Sequence, residues 1–244
     1  MITQIQPKQI FTYHQKLTFE QQQEITKYLI GYIDAVQDEN LRSFINDKNQ
    51  KNSSLAVVYD WEAARNYAIE HAYNYNYAEY PDLSNFGNAP SDCANFVSQC
   101  LYAGGKSKSG DWYIYKLNSN NPVPSTVAEL DASWDLADPS PWISAKEFGG
   151  YWSTNAVSTK TYNVTDYLAL SNRVISGYGI GDVIQTLRKS VFNYYPEHTM
   201  ILTRISGSDF KYSAHSIDRA DANLTTALGD PDYATYKIKF YAMY

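Results

Sequence analysis

The residues in this chain able to act as nucleophile or base are two cysteines and four histidines, and their settings differ. Cys93 follows the turn and cap residues Asn88, Pro90, Ser91 and Asp92. It opens the segment Cys93-Ala94-Asn95-Phe96-Val97-Ser98-Gln99-Cys100-Leu101-Tyr102-Ala103, which Gly104-Gly105 closes. Phe96, Val97, Cys100 and Leu101 recur at the spacing of a buried helical face and predict a helix of about three turns. Asp92 is the expected N-cap, accepting from the first free amides, and the glycine pair is the expected stop. Cys93 then falls in the first turn, where unpaired N–H groups and the helix dipole lower a thiol pKa and favour the nucleophilic thiolate. Cys100 lies on the apolar face about 10 Å further along the axis, beyond the Cα separation of about 7 Å that a disulfide tolerates. The competing reading of Cys93 is a small buried hydrophobe.

A nucleophilic thiol needs a base, and the base needs an orienting partner. His14 lies in an unpatterned stretch, and His71 lies on a helical face four residues after Tyr67. His198 and His215 are left. His198 opens a β-rich run and His215 ends the next one, so an antiparallel hairpin makes them neighbours. In that arrangement His198 faces Cys93, and His215 holds its second ring nitrogen, with Asp218 as the competing orienter. Two unrelated strand-end histidines are the alternative. As metal ligands Cys93, His198 and His215 form a poor zinc set, and neither metal nor cofactor is expected.

The elements that must position these groups change in character along the chain. Thr18 and Gln21 fit a capping box, and Phe19, Ile25, Tyr28, Leu29, Tyr32, Ile33 and Val36 form an apolar stripe. Residues 1–50 therefore read as a helical extension, with 18–45 a candidate partner-binding element. A polar stretch, 46–54, follows as a linker. Tyr59 to Tyr77 reads as a helix starting at Asp60. Residues 106–160 are loop-rich and hold Trp112, Trp134, Trp142 and Trp152, which serve as a substrate-facing wall or as ordinary packing. Thr165 to Ser171 reads as a short helix. Strands are expected at 181–185, 198–205, 210–215 and 236–242, giving an α+β fold in which helices precede a small antiparallel sheet.

With 44% hydrophobic and 19% charged residues over 244 positions, the composition is globular. A net charge of −6 argues against nucleic acid or an anionic membrane as the main partner. No run of about 18 apolar residues predicts a membrane span, and the N-terminus lacks the basic-then-apolar layout of a signal peptide. The 23 tyrosines are spread evenly enough to read as compositional bias.

The segment from Asp92 to Gly105 resembles the signature of the putative amidase domain family, related to the papain-like cell-wall hydrolases beside the NlpC-type and CHAP groups. The resemblance extends through Tyr59-Asp60, Ala63-Ala64, Tyr67-Ala68, Ser133-Trp134, Gly181-Asp182-Val183-Ile184, His198 and Ala214-His215-Ser216-Ile217-Asp218-Arg219, covering about 57–244. It implies a papain-like or NlpC-like fold with the nucleophile helix packed on the sheet. It makes Cys93 the nucleophile and His198 the base and acid, with His215 or Asp218 third. Asn88, Ser91, Asp92 and Trp134 would border the substrate, and the Cys93 N–H with a donor near Asn88 or Ser91 would hold the oxyanion. The implied substrate is peptidoglycan or its peptide stems, cut at the sugar-acid–alanine bond or within the stem or cross-bridge. The implied location is extracellular or the cell wall, exported or phage-borne. Against the pattern, Leu187 to Glu197 is longer and poorer in glycine than expected, and Glu197 precedes the histidine. A non-catalytic wall-binding or interaction module of the same fold, and an acyl transferase, are the alternatives.

Overall fold

A computed structural model describes residues 59–87, 92–117 and 121–244. The expected extension over 1–50, its helix and the linker lie outside the described residues. In chain order the elements are α1 (Trp61–His71), α2 (Cys93–Ala103), β1 (Ile114–Lys116), α3 (Val127–Ser133) and β2 (Trp134–Leu136). There follow α4 (Ala145–Asn155), β3 (Ser158–Asn163), α5 (Val164–Leu168), β4 (Val183–Lys189), β5 (Tyr194–Ser206) and β6 (Asp209–Ala214). The chain ends with β7 (Arg219–Asn223), α6 (Leu224–Leu228), a 3-10 turn at Pro231–Thr235, and β8 (Lys237–Ala242). The fold is α+β: a six-stranded antiparallel sheet of order β3-β8-β4-β5-β6-β7, and a separate β1-β2 pair.

The period-two alternation of a strand gives the sheet two apolar faces. Val183, Ile201 and Tyr241 join one core with Ala64, Ala68, Phe96, Val97, Leu101 and Phe148 from α1, α2 and α4. Ile184, Met200, Leu202 and Phe240 join a second core with Val164, Tyr167, Leu224 and Leu228 from α5 and α6. Helices therefore cover both sides of the sheet.

Every residue of α2 from Cys93 to Leu101 is buried, which makes it a central helix rather than an amphipathic one. Its polar side chains are satisfied individually, as buried polar groups must be. Asn95 donates to the Pro81 carbonyl at 2.7 Å and accepts from the Trp142 indole at 3.1 Å. Ser98 donates to the Trp142 carbonyl and accepts from the Trp112 indole, both at 3.0 Å. Gln99 accepts from the Tyr67 hydroxyl at 2.8 Å. The stop is built as expected: Gly105 takes φ +88°, and Lys106 N–H reaches back to Leu101 O at 3.0 Å.

Several elements differ from the sequence expectation. The helix from Asp60 stops at His71 rather than near Tyr77. β5 begins at Tyr194, four residues before His198. The Gly149-Gly150 pair, within the stretch expected to be loop-rich, lies inside α4. A Cβ at Gly149 would lie 2.6 Å from Gln185 Oε1 and 2.7 Å from Pro196 Cγ, so the glycine lets α4 settle onto the sheet. The four tryptophans of the loop-rich region are core residues. Trp134, expected at a cleft wall, is 2% exposed, and its indole donates to Asn121 O at 3.1 Å. Among the described residues, no helix is long and apolar enough to cross a membrane.

Candidate active site

The N-terminus of α2 meets the sheet where β5 begins and β6 ends. A cleft of about 360 Å³ opens there, walled by Leu83, Phe86, Ile143 and Pro196, and Cys93, His198 and Ser216 all line it. Asn88 and Ser91, expected at its border, lie outside the described residues. His198 comes directly after a β-bulge: Thr186 pairs with His198, but Leu187 pairs with Pro196, leaving Glu197 unpaired. Bulges of this kind redirect side chains at strand ends.

Cys93 is 4% exposed. Burial pushes its thiol above the usual range, and the neighbouring Asp92 carboxylate adds to this. The N–H and hydroxyl of Thr199 and the N–H of Ala94 act in the opposite direction without prevailing. The sequence expectation of a thiol lowered by its helix position is therefore corrected. The dipole contributes about 1–2 kcal/mol at most, whereas full burial shifts a titrating group by as much as about 3–5 pK units. Burial likewise lowers His198 from 6.5 to about 4. The charged groups acting on His198 are Glu197 and Arg219, not Cys93. Cys93 and His198 share a cleft, but the thiol's polar neighbour is Thr199.

The expected orienters are placed elsewhere. His215 is 1% exposed. Its Nδ1 lies 2.6 Å from Asp92 Oδ2, and its Nε2 lies 2.8 Å from His71 O. A carbonyl only accepts, so Nε2 carries a proton, and one further proton is shared by Nδ1 and the carboxylate. The ring is stacked between Tyr75 and Phe96, with centroids 3.9 and 4.0 Å away. Both nitrogens are thus committed, and His215 cannot hold His198. Asp218 accepts from the Tyr75 hydroxyl at 2.9 Å and lies on that same side.

Asp92 also departs from its expected role, making no side-chain cap. Its Oδ1 accepts from Leu83 N–H at 2.9 Å and Asn95 Nδ2 at 2.8 Å. Burial raises its carboxyl above the usual range, with His215 as the largest opposing influence. Asp92 and His215 form a buried tie that joins α2, the loop at Leu83, the end of β6 and the last carbonyl of α1.

Residues 58–238 match the family described as a putative amidase domain. The chain belongs to that family. No curated protein and no solved structure matches it at a significant level. Three residues of this amidase domain make contacts at the site to which the motif reading gave no role. Ser216, in the left-handed region at φ +76°, accepts from the Cys93 N–H at 3.1 Å. Thr199 is fully buried beside the thiol. Gln185, also fully buried, donates from Nε2 to Thr199 Oγ1 at 2.9 Å. The one signal in the sequence was polarity in runs otherwise apolar. Among the described residues no group of three or more His, Cys, Asp or Glu is placed to hold a metal ion.

Proposed function

We propose that the chain is a cysteine-dependent amide hydrolase acting on peptidoglycan peptides, with Cys93 as nucleophile and His198 as base and acid. The observation that carries this is the shared cleft: a thiol at a helix start and an imidazole at a strand start open onto the same space, in a chain of the amidase domain family. A papain-like or NlpC-like arrangement is part of this reading.

The resting pair is neutral, since burial keeps the thiol protonated and the imidazole unprotonated. Attack on the amide carbonyl therefore goes with proton transfer from Sγ to the His198 ring. His198 returns that proton to the leaving amine, which departs as the carbon–nitrogen bond breaks and the thioester forms. Water, giving a proton to His198, then cleaves the thioester, and His198 passes that proton to the departing Sγ to restore the neutral pair. The Cys93 N–H is the donor best placed for the oxyanion. Because it is bonded to Ser216 Oγ at rest, the substrate carbonyl must displace that hydroxyl. The site of action that follows from such a substrate is the bacterial wall, reached by export or from a phage.

Purified peptidoglycan is the test substrate, with released fragments identified by mass spectrometry. Cys93→Ala is expected to lose at least about 10³-fold in rate, and Cys100→Ala to retain most activity. Equal loss in both, or wall fragments released undiminished by Cys93→Ala, refutes the assignment. Binding to peptidoglycan without any release would favour the non-catalytic module. New amide products on adding an amine would favour acyl transfer.

A further inference from the structure

The donors around the sulfur follow from a line of buried side chains leading away from it. Gln185 lies on β4 opposite Thr199 of β5. Its Nε2 is 2.8 Å from Ala145 O, an atom that only accepts, which fixes the orientation of the amide. The second Nε2 hydrogen goes to Thr199 Oγ1 at 2.9 Å. Oε1 accepts from the Tyr241 hydroxyl at 2.6 Å. Thr199 Oγ1 is thus already an acceptor, and its own proton is free for another partner. Cys93 is a neighbour able to take it, since the Thr199 hydroxyl and N–H both act on its thiol. Gly149 leaves the space that Gln185 Oε1 occupies.

We propose that Thr199 is a catalytic residue: Gln185 turns its hydroxyl into a donor toward the Cys93 sulfur, and hydroxyl and N–H together hold the sulfur anion as the proton leaves. The proposal rests on Cys93 being the nucleophile. The direction of donation runs from Tyr241 through Gln185 to Thr199 and ends at sulfur. A thiol taken out of water has lost its solvent donors, and this line replaces them with fixed ones.

The test uses the full chain carrying Cys100→Ala, so that Cys93 is the one thiol. The rate of alkylation by iodoacetamide is followed across pH by intact mass. Thr199→Val keeps the shape and removes the hydroxyl. It is expected to move the midpoint of the rate profile up by about one pH unit and to slow labelling at pH 7 about tenfold. Thr199→Ser restores both. Gln185→Met, which frees the hydroxyl to turn away, shifts the midpoint in the same direction by less. It answers the same question should Thr199→Val fold poorly. A midpoint unchanged in Thr199→Val and in Gln185→Met overturns the proposal while leaving the hydrolase reading intact. A parent protein in which Cys93 never labels removes the nucleophile itself, and both readings fall together.

Discussion

Removing the His215 ring distinguishes a structural tie from a catalytic orienter. Asp92 is wholly buried and shares a proton with His215, with Leu83 N–H and Asn95 Nδ2 as its other donors. His215→Ala leaves that carboxyl in the core without its partner, at a cost of about 3–5 kcal/mol. Losing the ring between Tyr75 and Phe96 adds about 1 kcal/mol of stacking. A total of about 5 kcal/mol corresponds to a fall in Tm of about 10–20 °C for a domain of this size. In the Asp92→Asn background no buried charge is stranded, so the same truncation should cost about 2–3 kcal/mol less. The assay is thermal unfolding of the four proteins of the cycle, with kcat/KM for wall digestion measured at 20 °C, where the variants are still folded. A tie leaves kcat/KM within about tenfold, whereas loss of a catalytic orienter costs about 10⁴. His215→Ala melting within about 2 °C of the parent, the smallest shift that 1 kcal/mol produces, and losing activity by that larger factor would refute the assignment.

Three further outcomes follow from the same geometry. The acid limb of kcat/KM is expected at about pH 4, because His198 must be unprotonated to accept the thiol proton and burial holds it at that value; an acid limb near pH 6.5, read from initial rates across a buffer series, would show a solvated ring. The same group makes stability fall with acid. Its folded pKa lies below the unfolded 6.5, so its contribution is complete above pH 6.5 and is lost as pH drops toward 4, a loss of at most about 3 kcal/mol seen in urea titrations at the two pH values. Gly149→Ala should cost about 1–3 kcal/mol by driving a methyl into Gln185 and Pro196, and should raise the pH midpoint of Cys93 alkylation as Gln185 is displaced; a neutral melting shift would mean that α4 can lift off the sheet freely.

The cysteine helix was legible because its signals are local. The glycine stop, the apolar spacing and the place of Cys93 in the first turn are all carried within thirteen residues. The strands through Val183, His198, Phe210 and Ile238 were legible from their alternation, although β3 and β7 were not. β3 is an edge strand, Ser158–Asn163, exposed along most of its length and without an apolar face to betray it. α4 was hidden by Gly149-Gly150, a pair that ordinarily breaks helices and here serves close packing. Of the site, the meeting of Cys93 and His198 at one cleft was legible, whereas the places of Trp134, His215 and Asp218 were not. The partners of His215 were not, because hairpin reasoning fixes which residues are neighbours and not which face each side chain takes. His215, just past the end of β6, turns toward α2, where it meets Asp92 and stacks on Phe96.

The thiol's protonation state shows why position on a helix was an insufficient guide to reactivity. A dipole acts over the first turn in proportion to the exposed N–H groups, and here the Cys93 N–H is occupied by Ser216. Asp92, the residue that would ordinarily turn toward those amides, is drawn into the core by His215 and adds negative charge beside the sulfur. Both adjustments raise the energy of a resting thiolate, and burial raises it further. A thiol held neutral in this way does not react indiscriminately. On the proposed mechanism it becomes nucleophilic only when His198 accepts its proton and the Thr199 donors receive the anion. The buried pair behind α2 and the Thr199 line in front of it then have complementary effects: one discourages charge on sulfur at rest, and the other accommodates it during attack. On that account Asp92→Asn should lower the Cys93 alkylation midpoint while Thr199→Val raises it, and the two shifts should add in the double variant, because the groups approach the sulfur from different elements.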